Sequence, residues 1–371
     1  MRTRLESVSP DAPTVLILTP RADGADGISA LTRQVARALE AGGARRLDVW
    51  AIDGGAPGSL QPGTRFWSAR GGRARMVGRA IRHASRSCDG LAVIVLHVHL
   101  APLARMLAAR GAHVTMFLVG IEVWTPLRPR ERSAVARADR LVAISAFTLR
   151  EFQHANPSLA QLSAAICPPG IGAPAAPRDM GHGSGFALIV GRLSSEERYK
   201  GHDALLDAWP AVRQAVPDAR LLVAGDGDDR VRLERAAADK GLEGAVVFLG
   251  RVDDHVLASL YERCGFLVMP SAREGFGLVY LEAMRAGKPC IAAHGAADEI
   301  ITDGVDGVLI DGGDPARVAA AVVRLFCDEP ARTRMGAAAK RRVDERFTED
   351  QFGRRLLAAL GEQAAPAVTI A

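Results

Sequence analysis

Two α/β domains in series, each a parallel sheet covered by helices and facing the other across a cleft, is the fold class this sequence predicts. Three observations predict it. The chain has 371 residues, long for one hydrophobic core and comfortable for two domains. Short β-branched runs alternate with helical stretches throughout, which reads as repeated βαβ units. The alternation breaks once, from Pro168-Pro169-Gly170 to Gly185, where Pro, Gly and Ala gather without periodicity and suggest an interdomain linker.

The first domain is expected over residues 1–172, with strands at 14–18, 47–52, 91–97, 113–118 and 140–144. Helices lie between them, for example 28–40 and 128–138. After a linker at 173–185, a second domain is expected over 186–347. Its strands are 186–190, 219–224, 245–249, 266–269, 289–292 and 308–310, and its helices include 204–215, 230–240, 254–262 and 315–327. A final helix at 348–363 is expected to pack back on the first domain, with 365–371 a loose tail. Ligands of such open sheets bind beyond the carboxyl ends of the strands, so the chemistry should lie in the loops there.

Composition narrows the class. Apolar residues make up 48% of the chain, ordinary for a globular protein, and no apolar run reaches the roughly 18 residues of a membrane span. The start of the chain, with Arg2, Arg4, Glu6 and Asp11, lacks the apolar core of a signal peptide. Cys88, Cys167, Cys264, Cys290 and Cys327 never form CxxC, which argues for a reducing cytosol and against a disulfide framework or zinc site. Charge is split. Residues 1–178 hold 23 Arg and no Lys against 12 acidic residues, a balance of +11, and the rest holds 24 basic against 30 acidic, a balance of −6. The halves are expected to meet different partners.

The most informative stretch is MPSAREGFGLVYLEAMRAGKP, Met269 to Pro289. A strand, a loop with Glu274, Gly275, Phe276 and Gly277, and a helix from Leu278 give the layout that receives phosphate, because free N–H groups and the positive end of the helix dipole point outward. A loop carboxylate at Glu274 can accept hydrogen bonds from sugar hydroxyls, and a helix carboxylate at Glu282 can hold a ribose diol. Taken singly, each Glu reads as a surface residue beside a tight turn.

The string EGFGLVYLE resembles the E-x7-E motif of family 4 retaining glycosyltransferases, enzymes with two Rossmann-like domains of the GT-B type. Further similarities are Gly27-Ile28, GIEVW at 120–124, the PPG at 168–170, Val190 to Leu193 with Lys200-Gly201, AGDG at 224–227, LGRV at 249–252 and the DGVDG before Val308. The resemblance implies that Arg192 and Lys200 stabilise the departing diphosphate without a metal. It implies that Gly27, Gly225, Gly227, Arg251, Val252, Glu274, Gly275, Phe276, Gly277, Leu278 and Glu282 hold the donor, with Glu122 on the acceptor side. Asp226, Asp228 and Asp229 could in principle hold Mg²⁺ or Mn²⁺, but turn and helix-cap duty is the preferred reading. The pattern departs at Val119, where the family often reads His. His97, His99 and His113 are the nearby substitutes and read more simply as strand-end residues.

Residues 65–86 carry seven Arg among Phe66, Trp67, Met76, Val77 and Ile81 and resemble a basic amphipathic surface helix. That suggests an anionic membrane surface; a nucleic-acid patch competes, but no nucleic-acid motif accompanies it. The combined expectation is a cytoplasmic, peripherally membrane-bound, metal-independent retaining hexosyltransferase. It would act on a nucleotide-sugar, GDP-mannose first and UDP-hexoses next, with a lipid-linked or polysaccharide acceptor and no further cofactor. The alternatives are a silent scaffold of the same fold and a nucleotide-sugar 2-epimerase or phosphorylase.

Overall fold

The computed structural model describes residues 14–361 apart from Ala25, Arg45, Ser59, Gln61, Pro62, Asp179 and Met180. The expectations for the first residues and for 365–371 lie outside the described residues. Two compact units form: one from residues up to Gly170 together with Glu349 onward, the other from Ile171–Thr348.

The first unit contains β1 (Thr14–Thr19), α1 (Gly27–Ala41), β2 (Arg46–Ala51), β3 (Arg65–Ser68), α2 (Arg73–Ala84), β4 (Leu91–Val95) and α3 (Ala101–Ala108). It continues with β5 (His113–Leu118), α4 (Pro129–Val135), β6 (Arg140–Ala143), α5 (Ala146–Ala155) and β7 (Ala165–Ile166). The sheet runs β3-β2-β1-β4-β5-β6-β7, with every pair parallel. Parallel sheets are covered on both faces, so their strands read as continuous apolar runs. Here TVLILT of β1 and LAVIV of β4 are almost wholly buried. Helix α1 starts where the Asp26 carboxylate accepts the Ser29 N–H, satisfying an otherwise orphaned amide.

Residues 65–86 are not one helix. The first four form edge strand β3, where Asp48 of β2 takes Arg65 Nε at 2.6 Å and Nη2 at 2.8 Å. A turn with Arg70 at φ 51° precedes α2. Met76 and Ala80 bury one face of α2, and Arg79 lies over the rings of Trp50 and Trp67, at 4.6 and 4.5 Å. Strand aromatics and a helical cation partner together give residues 65–86 the look of one amphipathic pattern.

The second unit contains β8 (Ala187–Val190), α6 (His202–Ala215), β9 (Leu221–Ala224), α7 (Arg230–Asp239), β10 (Val246–Gly250), α8 (Asp254–Arg263) and β11 (Phe266–Met269). Then come α9 (Leu278–Arg285), β12 (Cys290–Ala293), β13 (Gly307–Ile310), α10 (Pro315–Cys327) and α11 (Glu329–Arg346). Its parallel sheet runs β10-β9-β8-β11-β12-β13. Third, second, first, fourth, fifth, sixth is the doubly wound Rossmann order, and the first unit repeats it with a seventh strand added.

The stretch read as a linker is fastened to the second unit. Arg178 N–H donates to the His255 carbonyl at 3.0 Å, the Arg178 guanidinium pairs with Asp253, and His255 Nδ1 meets the Ala176 carbonyl at 2.8 Å. After α11 the chain returns to the first unit as α12 (Glu349–Gly361). Phe352 and Leu356 are buried there, Glu349 pairs with Arg37 of α1, and Cys167 Sγ approaches the Phe352 carbonyl at 3.8 Å. At the crossing, Ile171 N–H donates to the Phe347 carbonyl at 2.8 Å and Ile171 bridges Thr348.

Candidate functional site

In the second unit, strand order reverses between β8 and β11, neighbours in the sheet. Open α/β sheets bind their ligands in the crevice at such a point. Two loops leave it: 191–201, carrying Arg192 and Lys200, and 270–277, carrying Glu274. They are fastened together by the Ala272 N–H donating to the Tyr199 carbonyl at 2.8 Å. The β9 loop joins them, with Leu193 N–H on the Asp226 carbonyl at 3.0 Å and Asp229 N–H on the Leu193 carbonyl at 2.9 Å.

Gly225 and Gly227 are required by the packing of the loops themselves. Gly225 has φ +152°, and a Cβ on it would fall 1.8 Å from the Gly191 carbonyl oxygen; on Gly227 it would fall 2.1 Å from that of Leu193. These glycines let one loop of the chain approach another.

Arg192 and Lys200 converge on a residue that the sequence reading did not single out, Glu197. Its Oε1 lies 3.5 Å from Arg192 Nη2 and its Oε2 3.6 Å from Lys200 Nζ. The spacing Glu197 to Lys200 is the one legible signal for this pair. Nearby, Glu274 is partly exposed as a residue, but its Oε2 is sealed from solvent and has no hydrogen-bond partner among the described residues. Burial pushes its carboxyl above the ordinary range, Lys200 pulls it down, Glu197 pushes it up and the Ser271 hydroxyl pulls it down. Tyr199 is raised to about 12 by burial, then by Glu197 and Glu274. His202, at the start of α6, is lowered to about 4 by burial and then by Lys200. An imidazole so held is neutral at physiological pH.

Helix α9 begins after Gly277, which is left-handed at φ 97° and offers no side-chain cap; the Gly277 carbonyl takes the Tyr280 N–H at 3.0 Å. Leu278 opens the helix, while Phe276 is buried and meets Phe347 with ring centroids 6.1 Å apart. Its side chain therefore packs the unit. Glu282, one turn in, takes the Tyr261 hydroxyl on Oε2 at 2.7 Å, and burial raises its carboxyl. Arg251 is exposed and Val252 partly so, just past β10.

The Asp-Gly-Asp-Asp run is engaged within its own unit. Asp226 accepts the Gly227 N–H at 2.9 Å, and Asp228 accepts the Ser195 N–H at 3.1 Å and its hydroxyl. Asp229 is held by Arg232 at 2.6 and 2.7 Å and by Arg198 at 3.2 Å. The Ser195 hydroxyl and the Arg232 guanidinium hold Asp228 and Asp229 respectively below the ordinary carboxyl range. Asp229 precedes α7 but makes no side-chain cap bond; it is a cap by position only.

In the first unit, Gly27 is the first residue of α1, with open space where a Cβ would lie. Glu122 is not free to meet an acceptor with both oxygens: its Oε1 accepts the N–H groups of Gly120 at 3.0 Å and Val119 at 3.3 Å. It sets the turn after β5. Burial raises its carboxyl, with backbone bonds and His99 pulling down. His97 and His99 follow β4, with centroids 4.7 Å apart, and His99 Nδ1 contacts buried Glu131 at 2.8 Å. His113 opens β5 at the other end of the strand from Val119 and cannot stand in for it.

Comparison with known proteins decides what this geometry belongs to. The family model for glycosyl transferases group 1 matches residues 179–342, the unit that carries these loops. A GDP-mannose-dependent monoacylated alpha-(1-6)-phosphatidylinositol monomannoside mannosyltransferase of Corynebacterium glutamicum is 31% identical over 285 residues, 69% of this chain and 73% of that protein. The chain belongs to the group 1 glycosyl transferases. It is a glycosyltransferase with two Rossmann-like units. A GDP-mannose-dependent alpha-(1-6)-phosphatidylinositol monomannoside mannosyltransferase of Mycolicibacterium smegmatis is 32% identical over 262 residues, 65% of this chain and 67% of that one. Among solved structures, sucrose-phosphate synthase of Thermosynechococcus elongatus aligns at a TM-score of 0.76 with 19% identity, covering 94% of this chain and 100% of that one. Anabaena HepE in complex with UDP and glucose aligns at 0.74 with 20% identity and the same coverage. These two share the fold.

Proposed function

We propose that this glycosyltransferase moves mannose from GDP-mannose to a phosphatidylinositol-linked or similar glycolipid acceptor, with retention and without a metal. The observation that carries the donor reading is the placement of Arg192, Lys200 and the uncapped start of α9 around the switch point of the second unit. The mannosyl and lipid parts rest on the named activities of the relatives.

In this reading the bond from the anomeric carbon to the phosphate oxygen breaks with its electron pair passing to the diphosphate. Arg192, Lys200 and the α9 amides stabilise that charge. The acceptor oxygen bonds to the anomeric carbon on the same face, and its proton passes to the departing phosphate oxygen. Glu274 orients the donor sugar. Glu282, steadied by Tyr261, holds the ribose with its other oxygen. The first unit receives the acceptor.

The basic surface of that unit supports catalysis at an anionic bilayer on the cytoplasmic side. Arg73, Arg75, Arg82 and Arg86 are exposed, as are Val77 at 39% and Ile81 at 54%. Near anionic lipid each such Arg contributes about 1 kcal/mol. Among the described residues no helix is long and apolar enough to cross a membrane.

The test is a ligand panel of GDP, UDP, GDP-mannose and UDP-glucose read by thermal shift, since a ligand that binds only the native state raises its melting temperature. Transfer of labelled mannose from GDP-mannose into a phosphatidylinositol-containing lipid extract follows. A shift with UDP compounds alone would move the donor to UDP-hexoses.

A further inference from the structure

We propose that Glu197 is an internal stand-in anion: it holds Arg192 and Lys200 converged while the donor site is empty, and gives way to the diphosphate when the donor arrives. The inference rests on the donor-site reading above. Each carboxylate oxygen faces a different cation, at 3.5 Å for Arg192 and 3.6 Å for Lys200. Glu197 therefore bridges two like charges that would otherwise repel.

Both contacts are loose. Charge-assisted N–H···O bonds are ordinarily about 2.7–2.9 Å, and Glu197 Oε2 is buried with no hydrogen bond at all among the described residues. The Glu197 side chain is only 19% exposed, as is that of Lys200. A carboxylate withdrawn from water but not hydrogen-bonded is poorly satisfied. Diphosphate oxygens, free to settle at hydrogen-bonding distance from both cations, would replace two long contacts with short ones. Position supports the same reading. Glu197 is the one residue of the turn Ser195–Lys200 with non-helical backbone, at φ −115° and ψ 28°. That turn is tied to the Glu274 loop through the Tyr199 carbonyl, so the carboxylate is placed by the same backbone that places the cations.

The consequence is a split that a purely structural glutamate would not produce. Removing the charge removes a competitor for the diphosphate and also the group that prearranges the two cations. Glu197→Gln should bind GDP about three- to tenfold more tightly, while turnover falls about tenfold through lost preorganisation. Glu197→Asp keeps the charge, so its GDP affinity should stay within about twofold of the wild type.

The experiment titrates GDP and UDP calorimetrically into the full-length wild type, Glu197→Gln and Glu197→Asp. In parallel it follows nucleoside-diphosphate release from GDP-mannose and UDP-glucose, with melting temperatures recorded. Tighter nucleotide and slower release in Glu197→Gln, with affinity restored in Glu197→Asp, supports the stand-in role. Affinity unchanged or weakened in Glu197→Gln, in a protein whose wild type binds either nucleotide, overturns it. If Glu197→Gln fails to fold, a Glu197→Asp variant that loses nucleotide affinity more than tenfold overturns it as well. A wild type that binds neither nucleotide overturns the donor-site reading, and this inference with it.

Discussion

Glu274→Gln should stabilise the protein at neutral pH while impairing it as an enzyme. The wild-type carboxylate carries a sealed, unpartnered Oε2, and burial is the largest influence on it, raising its pKa above the ordinary value of 4.5. A group with a raised folded-state pKa contributes stability below its unfolded pKa, and loses that contribution as pH rises through the folded one. At neutral pH the ionised side chain is therefore a cost. Leaving a buried polar group unpaired costs about 1–3 kcal/mol, more when it is charged. Lys200 and the Ser271 hydroxyl offset part of this, so a gain of about 1 kcal/mol is the expectation for the neutral isostere. In a unit the size of Ile171–Thr348 that corresponds to about 2–4 °C in melting temperature. Melting curves of both proteins from pH 4 to pH 8 measure it. The difference should be near zero at pH 4 and grow with pH. A less stable variant at pH 7.5, or a difference that does not change with pH, would refute the idea that Glu274 is held ionised against its surroundings.

Arg192→Ala and Lys200→Ala should each lower turnover by about 10²–10³, the scale of losing one preorganised donor, with melting temperature little changed; near-normal rates in both would remove them from the mechanism. Gly225→Ala should cost at least about 3 kcal/mol of stability or prevent folding, because the new Cβ would land on the Gly191 carbonyl, and chemical denaturation would show it. Liposomes with phosphatidylglycerol should sediment the protein at low salt, and Arg73→Gln, Arg75→Gln and Arg82→Gln together should reduce this. Arg79 is better left in place, since it lies over the rings of both Trp50 and Trp67. Activity should persist in excess EDTA, and a complete loss reversed by Mg²⁺ would assign a metal role to Asp226 or Asp228.

Both sheets were legible because their strands are apolar runs between punctuating Gly and Pro, and the pattern survives small errors at the ends. The edge strands β3 and β7 were not, because Arg-Phe-Trp-Ser lacks the continuous apolar signal of the central strands and Ala165–Ile166 is only two residues long. The loops holding Arg192, Lys200 and Glu274 could be placed because each follows a strand. Glu197 could not, since its importance comes from two contacts that form only when the turn folds back. For Gly225 and Gly227 the glycine requirement was visible, but the close approach of the chain's own carbonyls, from residues more than thirty positions away, was not.

The return of α12 to the first unit has a consequence for synthesis. The second unit is a continuous segment, Ile171–Thr348, whereas the first is interrupted by it. As the chain emerges from the ribosome, the first 170 residues lack the helix that covers α1 and supplies the buried Phe352 and Leu356. The segment translated later therefore has all its parts sooner. A nascent chain stalled before residue 349 should expose the α1 surface to chaperones and proteases, although the sheet beneath it has been available from the start. Domains usually complete in the order they are translated; here the order of completion is reversed, and a nonsense mutation between Thr348 and Phe352 would damage the first unit, not the second unit beside it in the sequence.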